Sequence, residues 1–224
     1  MTEPVNETPV QIIVNGRAAM TIMTAADDPA ELVIGQLYTE RVIRTYQDIT
    51  SLHTDGPQTS VVTRNPFEIL LSRKTVLAGC GGASSFLDSG KLGTISSDLT
   101  VPADRIRSCA AHLPKTCWYS GTLFTEDAAL LTTAVDLTSQ NVADRLIGWG
   151  LAHGTDFSRT CLLLSGNVVA ETVRKAVIAK IPLLVTDAEA TAAAVAAADD
   201  AGMALCRITK DAVITLGRTS RCTL

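Results

Sequence analysis

From residue 116 to residue 216 the chain alternates short apolar runs with longer amphipathic stretches, and that alternation limits its fold more tightly than any other feature. Residues 116–122 and 128–136 read as strands, and 141–153 as a helix with Leu146, Trp149 and Gly150 towards the core. A short apolar strand follows at 159–164, then a Ser165-Gly166 turn, a helix over 170–179, a strand at 181–185 and a helix over 188–201. Residues 203–208 and 212–216 close the chain as strands. The run Cys161-Leu162-Leu163-Leu164 shows no polar alternation, so both faces of that strand have to be covered. Strands buried on both faces and separated by helices define an α/β domain, and the pattern predicts three layers, α/β/α.

The first half reads differently. Residues 10–14 and 17–24 alternate like two strands, joined by Asn15-Gly16, a type I′ hairpin signal. Asp27-Asp28-Pro29 opens a helix: Asp caps, Pro sits in the first turn, and Glu31 favours the positive end of the helix dipole. Leu32, Val33, Leu37 and Val42 follow at helical spacing. A second strand pair is predicted over 58–63 and 67–72, and a helix runs from Val101-Pro102-Ala103-Asp104 through residue 111. The reading is a smaller α+β part at 1–115 and an α/β domain at 116–224.

Only 4% of residues are aromatic while 46% are hydrophobic, so the core is built from Ala, Val, Leu and Ile. The net charge is −4 and no Lys/Arg run exists to track a polynucleotide, which argues against nucleic acid as a partner. No apolar stretch reaches 18 residues, the alanine-rich run near 188–198 being broken by acidic residues, so no membrane span is predicted. The first residues carry neither a basic start nor an apolar core of a signal peptide, and a cytoplasmic protein is expected. Six cysteines stand at 80, 109, 117, 161, 206 and 222 without a Cys-x-x-Cys pair. That excludes a zinc ribbon and a thioredoxin-like dithiol and predicts free thiols in a reducing compartment.

One thiol is singled out by its neighbours. Cys80 lies in Gly79-Cys80-Gly81-Gly82-Ala83-Ser84, the only place where glycines surround a cysteine. Such a loop can present a thiolate, and it can equally be a tight turn holding a small apolar residue. Exposed amides of Gly81 and Gly82 and a helical turn from Ala83 would lower the thiol pKa. Cys161 and Cys206 fall inside apolar strands and read as core; Cys109 and Cys117 flank a proline-containing turn; Cys222 lies in a tail expected to fray. A second candidate is the group Ser165, Gly166, Asn167, Arg207 and Lys210. A strand ending in Ser-Gly before a helix offers amides to a phosphate, though it serves as well as a plain turn. Arg207 and Lys210 suit a diphosphate, or simply a charged turn at a solvated edge. Asp136, Asn141 and Asp144 read as capping residues, with Asp136 or Ser139 as the cap.

Several segments in this order resemble the formate dehydrogenase accessory sulfurtransferase family. They are Asn15-Gly16, then Asp27-Asp28, then Leu32 to Glu40, and Cys80-Gly81-Gly82-Ala83-Ser84, similar to the second half of a Cys-Gly-x-Cys-Gly-Lys-Ala-Ser loop. Asp136 through Gly148, then Ser165-Gly166, Glu171, Val173, Lys175-Ala176, Ile181-Pro182 and residues 202–215 complete the likeness, which spans roughly residues 9–216. The resemblance implies a cytidine-deaminase-like C-terminal fold and a homodimer. It implies sulfur passed from a cysteine desulfurase, through Cys80 as persulfide, to the molybdenum or tungsten bis-pterin guanine dinucleotide of a formate dehydrogenase-type molybdoenzyme. That cofactor would be held transiently as a ligand, by Ser165, Gly166, Asn167, Arg207 and Lys210. Deaminase zinc chemistry is not implied: His53, His112 and His153 lack the accompanying Glu, and no Pro-Cys-x-x-Cys occurs. Leu77 stands where the family has its first loop cysteine, Lys210 replaces an arginine, and Thr138-Ser139-Gln140 replaces Gly-Arg-His. A sulfurtransferase is thus the leading reading. The alternative is a cofactor- or nucleotide-binding, chaperone-like relative that has lost sulfur transfer.

Overall fold

The computed structural model describes residues 6–25, 28–65, 92–116 and 118–223. Strands β1 (Thr8–Val14) and β2 (Arg17–Thr24) form the expected hairpin, with Asn15 at φ 51° and Gly16 at φ 76°, the two positive values that a type I′ turn requires. Helix α1 (Ala30–Thr39) starts where Asp28 accepts the Ala30 N–H at 2.9 Å. It ends sooner than the apolar spacing suggests: Arg41 turns to φ 58°, which places Val42 beyond the helix.

The partner of strand β4 (Gln58–Thr63) differs from the sequence reading. Beside it lie β3 (Ile49–Asp55), antiparallel, and β1, parallel, giving the order β2-β1-β4-β3. Strand β3 has one exposed face and only partly buried residues such as Leu52 and Thr54 on the other, so it lacks a marked apolar alternation. The Asp55-Gly56 turn, Gly56 at φ 53°, is the local signal that announces it. The expected strand at 67–72 lies outside the described residues.

The second sheet follows the sequence reading closely. Its order is β11 (Val213–Thr215), β10 (Ala204–Ile208), β9 (Leu183–Thr186), β8 (Thr160–Leu164), β6 (Tyr119–Thr125) and β7 (Leu130–Asp136). Strands β8, β9 and β10 run parallel, connected by α4 (Ala170–Ile178) and α5 (Ala192–Ala201), with α3 (Ser139–Ala152) between β7 and β8. The alternation inside β8 assigns the faces. Leu162 and Leu164 pack with α3, α4 and α5, while Cys161 and Leu163 pack with Ile106 and Cys109 of α2 (Ala103–Ala110). Leu99 and Val101 join that second core, so the chain before residue 116 already packs under the C-terminal sheet.

The tail is ordered by pairing, contrary to the expected fraying. Its strand β12 (Cys222–Thr223) pairs with β5 (Val101–Pro102), and Arg221 donates to the carbonyls of Ser97, Leu99 and Gly202. Among the described residues no helix is long and apolar enough to cross a membrane.

The two sheets are joined through α1 and α3. The helices cross antiparallel at two glycines: a Cβ on Gly35 would overlap the Asp144 carbonyl, and one on Gly148 the Glu31 carbonyl. Backbone therefore touches backbone. The same crossing seals two buried ion pairs. Lys175 Nζ donates to Asp144 Oδ2 at 2.8 Å and Oδ1 at 3.0 Å, and also to Gln36 Oε1 and Thr39 Oγ1 of α1. Arg145 Nε donates to Asp136 Oδ2 at 2.7 Å, while its two other nitrogens reach the Asp28 carbonyl and Thr24 Oγ1. Asn141 completes the second group, donating to Asp136 Oδ1 and to the Met23 carbonyl.

Asp136 and Asp144 are therefore ion-pair partners rather than caps. The cap of α3 is Thr138, whose hydroxyl accepts the Asn141 N–H at 3.1 Å. Burial pushes the Asp136 carboxyl up, but hydrogen bonds from Arg145, Asn141, Thr24 and the Leu137 N–H outweigh it and hold the group below the usual carboxylate range. Breaking such a pair by removing one partner leaves an uncompensated buried charge, a cost of about 3–5 kcal/mol. Overpacking a helix contact costs about 1–3 kcal/mol when the backbone can shift, and more when it cannot. Gly148→Ala is expected to lower the urea midpoint, with a loss of about 3 kcal/mol of stability, because relief would pull α1, with Gln36 and Thr39, away from the buried Lys175–Asp144 pair. An unchanged midpoint in equilibrium denaturation would show that the crossing is not the joint.

Candidate functional site

Sites in open α/β sheets lie outside the carboxyl ends of the strands, and the structure brings four of the five expected ligand residues to that edge. The register aligns Leu164, Thr186 and Arg207 across β8, β9 and β10, so the loops after β8 and β9 emerge beside Arg207. Ser165 packs back onto β6: its Oγ accepts the Ser120 N–H at 2.9 Å and lies 3.0 Å from Ser120 Oγ. Gly166 stands at φ 86°, and a Cβ there would press into the Tyr119 ring, so close packing as well as backbone conformation requires glycine. Asn167 is exposed, and its Oδ1 accepts the Glu189 N–H at 3.2 Å. Lys210 stands apart from these, exposed in the turn between β10 and β11.

Two acidic residues in the same loops escaped the sequence reading. Asp187 Oδ1 accepts the Gly166 N–H at 2.8 Å, and Glu189 forms an ion pair with Arg207. The loops are zipped by backbone as well, Val168 N–H donating to the Glu189 carbonyl at 2.9 Å and Thr191 N–H to the Val168 carbonyl at 3.0 Å. Thr186 Oγ1 donates to the Gly166 carbonyl at 2.7 Å. The signal for these acids was their position, one and three residues past the apolar strand ending at Thr186. At this edge the Gly166 N–H and the Arg207 guanidinium are each occupied by a carboxylate of the same chain.

The thiols divide by environment. Burial pushes Cys109 up to about 11 and Cys206 up to about 11, the latter opposed in part by the Thr215 hydroxyl. Burial also pushes Cys161 well above the ordinary thiol range, and Cys222 upward, with Arg107 drawing Cys222 back. A thiol titrating near 11 is about 0.1% ionised at pH 8, against about 25% for an ordinary one. None of these four is a poised nucleophile. Cys80 and Cys117 lie outside the described residues. Among the described residues no group of three or more His, Cys, Asp or Glu side chains is placed to hold a metal ion.

The described residues form an α/β body with polar loops at the carboxyl edge of its parallel strands and three buried thiols, Cys109, Cys161 and Cys206, beneath the sheet. The chain belongs to the FdhD/NarQ family, whose model matches residues 5–216. It is 26% identical over 216 residues to the sulfur carrier protein FdhD of Wolinella succinogenes, covering 90% of this chain and 75% of the relative. It is 29% identical over 232 residues to the protein of the same name from Streptomyces coelicolor, covering 90% and 82%. A crystal structure described as a candidate formate dehydrogenase accessory protein from Desulfotalea psychrophila superposes with a TM-score of 0.76 at 17% identity, covering 97% of this chain and 89% of that one. The last likeness is one of fold.

Alkylation separates the thiols. At pH 8, brief iodoacetamide treatment of the native protein is expected to leave Cys109, Cys161 and Cys206 at least tenfold less modified than the same treatment of the urea-denatured protein, as read by peptide mass spectrometry. Comparable labelling of the three core cysteines would contradict the burial described above.

Proposed function

We propose that this protein is a sulfur carrier for the maturation of a formate dehydrogenase, with Cys80 as its persulfide site. The family match over residues 5–216 carries the proposal, and the burial of Cys109, Cys161 and Cys206 supports it by removing three competing thiols. The chemistry needs one thiolate. Cys80 attacks the terminal sulfur of a desulfurase persulfide, an S–S bond forms on Cys80 as the donor S–S bond breaks, and the donor cysteine leaves as thiolate. No net oxidation occurs. Leu77 in place of a neighbouring cysteine removes any internal resolving thiol from position 77, so the sulfur passes onward directly to its acceptor.

The acceptor in this reading is the molybdenum or tungsten bis-pterin guanine dinucleotide of the client enzyme, held as cargo at the carboxyl edge. Gly166 N–H, Asn167, Arg207 and Lys210 supply the phosphate contacts, and Ser165 fixes the loop to β6. The fold class is cytidine-deaminase-like, an assignment supported by the parallel β8-β9-β10 core with helices on one face and α2 on the other. The carrier acts in the cytoplasm, where thiols stay reduced, as a homodimer whose symmetric interface helps to enclose a large cofactor.

Incubation with a cysteine desulfurase and cysteine is expected to add the mass of one sulfur to Cys80, and to add nothing in Cys80→Ala. Sulfur on another cysteine, or on none, would favour the binding protein without transfer activity. Arg207→Ala is expected to weaken GDP binding roughly tenfold in titration calorimetry, since one charge-assisted phosphate contact contributes about 1.5–3 kcal/mol. Light scattering should return twice 23.6 kDa, unchanged by reductant; a monomer would remove the dimer from the proposal.

A further inference from the structure

We infer that Asp187 and Glu189 are intramolecular stand-ins for the phosphates of the ligand, so that binding at the carboxyl edge is an exchange of one anion for another. The inference rests on the reading of this edge as an anion site. Its observations are the contacts themselves. The Gly166 N–H, the donor that a Ser-Gly turn would aim at a phosphate oxygen, is taken by Asp187 Oδ1 at 2.8 Å. Arg207, aligned with the end of β8 across the parallel strands, is taken by Glu189. Both acids come from the one loop after β9, and that loop is fixed beside Gly166 by the Val168 and Thr191 backbone bonds and by the Glu189 N–H on Asn167. Two carboxylates thus stand on one backbone amide and one guanidinium, the donor set of a phosphate site, while the Arg207 Nε is buried with no hydrogen-bond partner among the described residues.

The strength of these contacts decides what they do. The Glu189 side chain is 71% exposed and that of Arg207 35%, so the pair is well screened by water and salt. It yields to a ligand that presents several phosphate oxygens at once, and it competes successfully with a small single anion. The carboxylates therefore set a threshold: they exclude simple anions from the edge and admit a di- or polyphosphate, whose multiple charge-assisted bonds replace both contacts together. In the exchange Arg207 trades Glu189 for a phosphate oxygen and Glu189 goes to solvent, with no proton or covalent change.

The test is calorimetric titration of the full chain with inorganic pyrophosphate, GDP and guanosine, comparing wild type with Glu189→Gln and Asp187→Asn. Both substitutions keep side-chain size and an amide oxygen to accept the loop hydrogen bonds, and thermal melts check that the fold is retained. Each is expected to tighten pyrophosphate and GDP about three- to tenfold, the scale of one exposed ion pair and one like charge removed. Guanosine, which carries no phosphate, should respond to neither. Wild-type binding with unchanged or weaker binding by both variants would overturn the exchange and leave the edge an anion site. Equal tightening of guanosine would also overturn it, since the effect would not lie at the phosphates. Failure of wild type and both variants to bind either anion would overturn the anion site itself together with the exchange, while leaving persulfide formation on Cys80 to its own experiment.

Discussion

The crossing of α1 and α3 at Gly35 and Gly148 is the contact on which the rest of the molecule depends. Two helices at ordinary distance, with side chains between them, would separate the small sheet from the large one by several ångströms. With backbone on backbone, Thr39 and Gln36 of α1 come within hydrogen-bond reach of Lys175 on α4, and Asp144 of α3 is closed in between. A buried ion pair contributes little net stability when it is compared with a well-packed apolar pair. Its value here is specificity. Burial pushes the Asp144 carboxyl up, against the pull of Lys175 and Thr39, so a shifted register at this crossing would strand a charge away from both water and partner.

The second ion pair repeats the arrangement at the other end of α1. Asp136 is held by Arg145, Asn141 and Thr24, and Arg145 reaches on to the Asp28 carbonyl just before α1. Both ends of the N-terminal helix are thereby referenced to the same helix of the large sheet. A third contact, Arg174 bridging Glu171, Glu40 and the Thr39 carbonyl, fixes the C-terminal end of α1 against α4. Glycines set the distance and charges set the register.

The carboxyl edge of β8, β9 and β10 is built from loops fastened to one another by backbone bonds and exposed charges, contacts weak enough for a ligand to rearrange. The opposite arrangement holds beneath the sheet, where Cys161 and Cys206 point into an apolar core whose low polarity keeps them as thiols. For the proposed carrier, keeping these core thiols protonated confines the chemistry to the proposed site, because a thiol that does not ionise does not accept a persulfide sulfur.

The strand and helix order after residue 116 was legible in the sequence, because apolar runs of four or five residues between amphipathic helices have few other solutions. The Asn15-Gly16 hairpin, the start of α1 and the core placement of Cys161 and Cys206 were legible for equally local reasons: positive φ, capping and burial are properties of short segments. Strand β3 was not, since a strand with no fully buried residue carries only a weak periodic signal, and only Asp55-Gly56 marks it. The grouping of Ser165, Gly166, Asn167 and Arg207 followed from their positions at strand ends, but the carboxylates seated on them did not. What tertiary structure alone decided is the pairing of Asp144 with Lys175, Asp136 with Arg145, Asp187 with Gly166 and Glu189 with Arg207. These partners are 31, 9, 21 and 18 residues apart in sequence. A charge carries no periodicity that names its partner; only the packed helices and the register of the parallel strands bring the two together.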